Sequence, residues 1–481
     1  MTSRIISCIQ NVARHQRTAL WLVGGPVRDG LLGRACADWD MVCRKAKRTA
    51  QETARRIGAK WIALDEQNRI YRVILPESLR PVHTLDFAEL QGRTIVGDLK
   101  RRDFTVNAMA RAFPSGQLVD PFHGKKDLRR KTIRAVSEKA FTDDPLRLLR
   151  AFRFQTQFQF DVESRTLRWI RKHHDKLSTV SAERIRDELL RLWKQPGSSA
   201  SLRMMDRAGL LSVVFPEMEA CRRTAVRYYG KGGVLTHSFE TVENLEWILE
   251  YIRRYGGAAV TAESADAAAP PLRQSLPLLQ PYLAGTIGGY PRSAWLKWAA
   301  FLHDIGKPAT AKVIKGRLRF FEHEHLGAGL AVQAARRLRC SRQEAHLLGL
   351  WVQNHMRTGN LAAAARVTDK AFSRFFRDLG EEGVGMVLVS LADHYTYLSK
   401  ALRGKGKDPV EKMGCQLLHS FYDRREKILP GRLLNGHDLM RHLKLKPGPI
   451  IGKLLEAVQD AQAEGRVTTK NEALAFAKKK L

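Results

Sequence analysis

Two carboxylates one residue apart, in Asp38-Trp-Asp40, follow closely on a glycine turn, Leu22-Val-Gly-Gly-Pro-Val-Arg-Asp-Gly-Leu-Leu-Gly33. On an extended strand, side chains alternate faces, so Asp38 and Asp40 point the same way while Trp39 and Met41 face a core. Two carboxylates on one face can share magnesium ions, which bind triphosphate oxygens, activate an attacking hydroxyl and stabilise a leaving pyrophosphate. Gly24 and Gly25 let backbone amides approach a phosphate, aided by the N-terminus of a helix opening near Val27. Arg28 adds a charge-assisted contact. Each half is common and mostly structural when it stands alone. Their order along one chain predicts a nucleoside triphosphate site.

A second set of reactive residues lies far downstream. His237 stands in Leu-Thr-His-Ser-Phe-Glu, and His303-Asp304 in Phe-Leu-His-Asp-Ile-Gly-Lys-Pro; His323, His355 and Asp393 follow. Neutral imidazoles and carboxylates are good ligands for divalent metals. An adjacent His-Asp pair with remote His and Asp closes a metal site inside a helical bundle, where a metal-bound water is a nucleophile for phosphoesters.

Between the two lies Asp143-Asp144-Pro145, read as the opening of a helix with Asp144 as cap and Pro145 in the first turn. Asp144 and Arg147 are three apart and share a helical face. Aspartate only accepts and arginine only donates hydrogen bonds. The pair therefore complements cytosine and adenine, which offer an amino donor beside a ring-nitrogen acceptor, and mismatches uracil and guanine. Arg150 and Arg153 continue the stripe toward a triphosphate.

The elements that must position these residues divide the chain. Residues 1–135 mix periods: an amphipathic first helix, an apolar run at Leu20–Val23, strands at 39–43, 60–64, 70–75 and 83–87, and a helix around 48–57. From about 136 onward the pattern is almost wholly helical. Segment 256–293 is rich in Ala, Gly, Pro and Ser and reads as a flexible insertion. Gly404-Lys-Gly-Lys-Asp-Pro409 reads as a linker, and helices are expected at Leu433–His442 and Pro449–Ala463.

Lys and Arg outnumber Asp and Glu by 82 to 49, a formal charge of +33. A chain this basic is expected to meet a polyanion, nucleic acid ahead of anionic membrane. No run of about 18 apolar residues predicts a membrane span. The first residues lack an apolar core and a cleavage site, so secretion is not expected. The six scattered cysteines form no CxxC pair and suit a cytoplasmic protein.

The ordered series LVGGPVRDGLLG, DWD, RRDFTVNAMA (101–110), DPFHGKKDL (120–128), DDPLRLLRAFRF (143–154) and ERIRDELLRLW (183–193) resembles the class II tRNA nucleotidyltransferase and bacterial poly(A) polymerase family across residues 20–220. The resemblance implies an α+β fold. A polymerase-β-like head, a small mixed sheet with helices, spans 1–135. A helical neck spans 136–230, an HD-type domain 231–400 and a helical tail 401–481. It implies that Asp38 and Asp40 hold catalytic Mg2+, with Asp86 of His-Thr-Leu-Asp-Phe as a third carboxylate. Arg102, Asp103 and Asn107 match the segment that touches ribose and phosphates. Asp144 and Arg147 match the base-reading positions of an EDxxR motif, whose first residue is here Asp143. Implied partners are the tRNA 3′ end and CTP, ATP or both.

FLHDIGKP also resembles the HD phosphohydrolase superfamily, with His237, His303, Asp304 and Asp393 as the matching ligands of a transition metal or Mg2+. Residues 321–329 and Asn354-His355 match its later histidines. His323, four before Gly327, is preferred over His325. Implied substrates are 2′,3′-cyclic or terminal phosphates on RNA. The segments 433–440 and 446–453, with Lys444, Lys446 and Lys453, resemble the family's tRNA-binding tail. Two other readings stay open: a poly(A) polymerase, and an HD phosphohydrolase whose head only binds RNA. The connection between Asp86 and Asp98 is short, as in relatives that add only part of the CCA end.

Overall fold

The computed structural model describes residues 2–255, 275–403, 405 and 407–481. They fall into two compact units, one drawn from Met1–Ile185 with Met204–Val214 and the other from Arg186–Arg203 with Phe215–Leu481.

The first unit is built on a mixed sheet. Strands β1 (Leu20–Val23), β2 (Asp38–Cys43), β3 (Lys60–Asp65), β4 (Ile70–Ile74), β5 (Thr84–Glu89), β6 (Ala110–Phe113) and β7 (Leu118–Val119) stand in the order β3-β4-β5-β2-β1-β6-β7. Among the described residues of this sheet, only β2 and β5 pair in parallel. One sheet face carries Met41, Tyr71, Val73, Leu85 and Phe87. It is covered by Ile5 and Ile9 of the helix Thr2–His15 and by Ala50 and Ala54 of the helix Ala46–Ile57. On the other face Val23, Val42 and Ala110 pack with Ile95 and Leu99 of the helix Ile95–Lys100. Alternation along β2 therefore sends Trp39 and Met41 to the thick core and leaves Asp38 and Asp40 on the opposite face.

The strands expected at the head are all present. The reading missed β6 and β7, which are short and lie within and just beyond the stretch assigned to nucleotide contact. The unit continues through the helix Arg147–Phe158, which an aromatic seam fixes to the head. Phe104 meets Phe154 edge-on at 5.7 Å, and Phe154 stacks on Phe158 at 5.6 Å.

The second unit packs the helices Gly233–Tyr255, Arg292–Leu302, His323–Arg337, Arg342–Asn354, Glu382–His394 and Pro409–Asp423. Buried Trp295, Trp298, Phe301 and Trp351 are among its largest core side chains. Its C-terminal helices Gly436–Leu443, Pro449–Ala463 and Lys470–Lys479 enclose their own apolar cluster around Leu439, Leu454 and Val458. Asp460 is buried and bound by Lys370, Arg374 and Arg377 of the helix Asp369–Leu379 or its start, with contacts of 3.2, 2.5 and 2.9 Å. A buried carboxylate persists only when so paired.

Three expectations need correction. Of the flexible insertion at 256–293, residues 256–274 lie outside the described residues, but 275–293 is ordered. It holds the helix Leu276–Ala284 and a hairpin of Thr286–Ile287 with Tyr290–Pro291. Leu279 and Tyr282 are buried there, and the Tyr282 hydroxyl donates to Glu382 at 2.6 Å; these anchors were hidden by the Ala, Pro and Gly around them. The helical half also carries a ribbon, Ala311–Ile314 paired with Arg317–Phe320. Its two-residue turn, Lys315-Gly316, has positive φ at both positions (49° and 71°), as a tight hairpin requires. Finally, Asp408 of the expected linker caps the helix Pro409–Asp423, accepting from the Val410 and Glu411 amides; residues 404 and 406 lie outside the described residues.

Candidate active sites

The parallel pairing of β2 with β5 sets Asp40 directly opposite Asp86 and Asp38 opposite Thr84. Three carboxylates from two strands thus share one face. Thr84 Oγ1 donates to Asp38 Oδ1 at 2.7 Å. Arg72, opposite Asp86 on β4, grips it with two bonds, Nε to Oδ1 at 2.8 Å and Nη2 to Oδ2 at 2.7 Å. Asp40 reaches solvent, yet desolvation by the surrounding protein, then the facing Asp86 and Asp38, push its carboxyl up to about 6 against the pull of Arg102 and Arg72. A carboxylate pushed up by like charges is one that a divalent cation relieves. The donor set, hard oxygens on one open face, fits such ions.

The turn beside these carboxylates requires glycine. Gly24 has φ 70°, and a Cβ there would stand 2.9 Å from Arg102 Nη1. Its amide donates to Met109 O at 3.2 Å, tying the turn to the 101–110 segment. Arg102 itself is held by Asp98, its Nε and Nη2 lying 3.3 and 3.2 Å from Oδ2.

Behind this turn the predicted nucleotide contacts are joined in a buried chain. Arg28 Nη1 donates to Asn107 Oδ1 at 2.5 Å, while its Nε and Nη2 bind Asp29 and its guanidinium lies over the Phe158 ring. Asn107 Nδ2 donates to Asp103 Oδ1 at 3.1 Å, and the Phe104 amide to the same oxygen at 2.7 Å. Arg150 fills Oδ2 with Nε and Nη2 at 2.9 and 2.6 Å. Four donors saturate the Asp103 carboxylate. Burial alone would raise Asp103, but Arg150 overcomes it and holds the carboxyl at about 2. Asp103 therefore positions its neighbours. Arg153 is buried over the Phe154 ring at 3.8 Å and donates to Gln157 at 2.7 Å.

Asp144 and Arg147 differ from the expected shared helical face. Asp144 has extended backbone (φ −146°, ψ 96°), and the helix begins at Arg147. The reason is Pro145, which disfavours helical backbone in the residue before it. Asp144 is also not the cap expected of it: the N-cap is Leu146, with no side-chain cap bond, and Pro145 lies in the turn before the helix, though Asp144 Oδ1 accepts from the Leu146 amide at 3.3 Å. Arg147 Nη1 donates to Ala140 O at 3.2 Å, and Asp143 pairs with Lys139. Arg184 Nη2 lies 3.1 and 2.9 Å from the two Asp144 oxygens. Sequence reasoning missed Arg184 and Arg72. Arg184 stands inside the quoted ERIRDELL motif, whereas Arg72 is visible only once the β4–β5 register is known.

The second cluster brings together all six residues expected of it. His237 lies in the helix Gly233–Tyr255, His303 closes Arg292–Leu302, His323 opens His323–Arg337, His355 closes Arg342–Asn354 and Asp393 lies in Glu382–His394. They form two groups, His237–His303–Asp393 and Asp304–His323–His355. Asp304 faces both: Oδ2 is 3.2 Å from the Nε2 atoms of His237 and His303, and Oδ1 is 3.2 and 3.6 Å from those of His323 and His355. His237 Nε2 is also 2.9 Å from Asp393 Oδ1.

The histidine tautomers make this a cation site. Nδ1 of His303, His323 and His355 lies 2.8, 2.8 and 2.6 Å from the carbonyls of Ala300, Phe320 and Val352. A carbonyl only accepts, so each Nδ1 carries the hydrogen and each Nε2 keeps a lone pair. Yet Nε2 of His323 and His355 stand 3.2 Å apart, as do those of His237 and His303. That is the spacing of two nitrogens bound at about 2.1 Å to one tetrahedral ion. Asp304 Oδ1 and Asp393 Oδ1 are buried without hydrogen-bond partners, which a metal would satisfy. The residues fit two divalent ions bridged by Asp304.

Charge supports the fit. Burial opposes ionisation of Asp304, but His303 and Lys307 overcome it and hold the carboxyl well below the usual range; His303 and His237 do the same for Asp393. Burial opposes charge on His303, but Asp304 and Asp393 push it up to about 10; a bound cation would take the place of that proton on Nε2 and answer the same two carboxylates. Lys307, which sequence reasoning passed over although it stands in FLHDIGKP, pairs with Asp304 Oδ2 and donates to the Tyr229 hydroxyl at 2.9 Å. His325 is exposed beside Gln353, so the preference for His323 holds. Gly306 is required, since a Cβ would lie 2.1 Å from His323 O. A cavity of about 360 Å³ opens on the cluster, lined by Lys307, His323, His355, Asp393 and Tyr397 among others.

Four family models match in order: the poly(A) polymerase head domain at 20–134, a probable RNA- and SrmB-binding site of polymerase A at 159–222, the HD domain at 234–398 and a putative second domain of tRNA nucleotidyltransferases at 433–477. Families of the first and third kinds use divalent metals. The chain is 33% identical over 476 residues to a CC-adding tRNA nucleotidyltransferase of Geobacter sulfurreducens, covering 98% of this chain and 95% of that one. It is 30% identical over 471 residues to an A-adding tRNA nucleotidyltransferase of Deinococcus radiodurans, covering 95% and 94%. In structure it resembles the Thermotoga maritima CCA-adding enzyme solved with tRNA, with a TM-score of 0.61, 21% identity and coverage of 98% and 94%. Among the described residues, no helix is long and apolar enough to cross a membrane.

Proposed function

The chain belongs to the tRNA nucleotidyltransferase family, and on that premise we propose that it adds cytidine nucleotides from CTP to the 3′ end of tRNA. The observation that carries the reading is the register of β2 with β5, which gathers Asp38, Asp40 and Asp86 on one open face. Magnesium ions held by these carboxylates would bind the triphosphate, activate the tRNA 3′-hydroxyl and stabilise the departing pyrophosphate. The chain's own residues supply the rest. The Gly25 amide of the turn and the Arg102 guanidinium offer donors to phosphate oxygens. The buried links Arg28–Asn107–Asp103–Arg150 hold that turn and the helix Arg147–Phe158 in fixed relation. Asp144 accepts from the amino group of the incoming base and Arg147 donates to its ring nitrogen. Arg184, donating to both Asp144 oxygens, orients that carboxylate.

The choice of C alone is supported by the connection after β5, which runs only from Leu90 to Thr94 before the helix Ile95–Lys100. So short a segment leaves little freedom to re-form the base site for a second kind of nucleotide. The test supplies CTP alone, ATP alone and both to tRNAs ending before CCA, after the first C and after CC. Two C additions and no A are expected. Extension of the CC-ending tRNA by ATP would overturn the C-only reading and leave the family untouched. Long A tails on unstructured RNA would instead favour a poly(A) polymerase. Asp144→Asn, which trades an acceptor for a donor, should lower CTP use roughly 100-fold relative to UTP.

The second unit supports a second activity, metal-dependent hydrolysis of phosphoesters at RNA ends. His237, His303, Asp304, His323, His355 and Asp393 would hold divalent metal, which would supply Lewis-acid activation of water and of the phosphate. His237, His303 and Asp393 hold one side of the site and His323 and His355 the other, while Lys307 places a cation where the cavity meets Asp304. Lys444 and Lys446, in the connection before the helix Pro449–Ala463, and Lys453 within it add to an RNA-binding surface, and the six free thiols suit a cytoplasmic protein.

A further inference from the structure

Apart from the Phe320 carbonyl that orients His323, the ribbon formed by Ala311–Ile314 and Arg317–Phe320 has no role in either site described above. It leaves the metal-site loop just after Lys307 and returns directly into the ligand His323. The whole first strand is exposed, and Val313 is 73% exposed. A two-stranded ribbon with so little covered gains little stability from its own folding.

Its charge is one-sided. From Ile305 to Phe321 the sequence holds no acidic residue, while the ribbon and its turn carry Lys312, Lys315, Arg317 and Arg319. Pairing places Lys312 opposite Arg319, and Arg317 opposite Ile314, on the same face. Like charges directly across a ladder destabilise it. None of the four cations has an ion-pair partner among the described residues. The opposite face ends in Leu318 and Phe320, which line the cavity over His323, His355 and Asp393, as Arg319 does. Phe321, at the foot of the ribbon, is 64% exposed.

We propose that this ribbon is an arm for single-stranded RNA, which lays the sugar–phosphate backbone along Lys312, Lys315, Arg317 and Arg319 and leads an RNA end into the cavity. A polyanion relieves the Lys312–Arg319 repulsion, and the exposed Phe321 ring offers a stacking surface for a base. Continuity with a cavity floored by metal ligands and Lys307 favours a phosphoester chain over an acidic protein. The proposal rests on the reading of the second unit as a hydrolase of RNA ends, and its test separates the two.

The full chain, with metal chelated, is photo-cross-linked to a short 4-thiouridine-containing single-stranded RNA, and the attached peptides are mapped. Cross-links within 311–321 are expected, falling about tenfold when Lys312→Ala, Lys315→Ala and Arg317→Ala are combined. The salt slope of binding should fall by about 2 for the three lost contacts. The second readout is hydrolysis, with metal restored, of an RNA bearing a 2′,3′-cyclic phosphate and of a mononucleoside 2′,3′-cyclic phosphate. The triple variant should raise KM about tenfold for the RNA and leave the mononucleotide unchanged, with nucleotidyl transfer intact. Absence of cross-links in 311–321, or their persistence in the triple variant, overturns the arm. So does their displacement by a polyglutamate peptide but not by unlabelled RNA. If neither cyclic phosphate is hydrolysed by the unmodified chain, the hydrolase reading fails, and the cross-links alone decide the arm.

Discussion

The two candidate sites solve the problem of holding divalent ions in opposite ways. The head offers Asp38, Asp40 and Asp86 on an open sheet face, where Asp40 keeps contact with solvent. The helical unit sinks six ligands between five helices and leaves His237, His303 and His355 almost without exposed surface. An open set of hard oxygens suits ions that arrive and leave with a triphosphate. A buried, nitrogen-rich set with three of its four imidazoles oriented by a carbonyl suits ions that stay. The lesson is that burial, more than ligand count, separates an exchangeable metal site from a resident one.

The strongest way to break the comparison is to disable each site alone. Asp40→Ala should abolish CTP incorporation, by about 1,000-fold or more, while the metal content of the purified chain by mass spectrometry stays the same. Asp304→Ala should remove both ions of the helical unit and leave CTP incorporation largely intact. His323→Ala should leave one ion of two. Metal content lost with Asp40→Ala, or retained with Asp304→Ala, would reverse the assignment of open and resident sites.

A smaller effect sharpens the openness of the head. With its carboxyl near 6, Asp40 takes up a proton below that pH, and the proton competes with the metal. The magnesium concentration that half-saturates nucleotidyl transfer should rise about tenfold per unit of pH below 6 and flatten above it. A flat profile from pH 5 to 7 would remove the like-charge account of Asp40.

The smallest effect is on stability. Asp103 is held at about 2 against an ordinary value of 3.8. A depressed carboxyl contributes stability that is full above the ordinary value and is lost as pH falls through the folded one. About 2 kcal/mol should therefore disappear between pH 4 and pH 2. Asp103→Asn should remove that pH dependence and cost stability at pH 7, as followed by acid and urea unfolding. An unchanged acid transition would show that Arg150 gives Asp103 no net stabilisation.

Much of both sites was legible beforehand because their key spacings are local. Asp38 and Asp40 share a face by strand alternation alone, and Met41 opposite them is fully buried as that alternation requires. The step from His323 to Gly327 favoured the histidine of His323-Glu-His325 that turns into the cluster, and Gly327 packs against the Gly306 backbone. Less legible were residues whose neighbours carry no pattern. Leu279 and Tyr282 anchor a stretch that reads as loop, and Pro145 lifts Asp144 off the helix that its spacing from Arg147 suggested.

The sequence by itself determined which residues could bind metal, phosphate and base, because strand alternation, helix spacing and hydrogen-bond chemistry act over a few residues. The tertiary structure decided what those residues face. Strand register set Asp86 against Asp40 and gave it Arg72 as a clamp. Helix packing brought His237 and Asp393, 156 positions apart in the chain, to within 2.9 Å and set Asp304 between the two histidine groups. Register and convergence depend on the summed packing of distant apolar side chains, and no short run of residues encodes that sum.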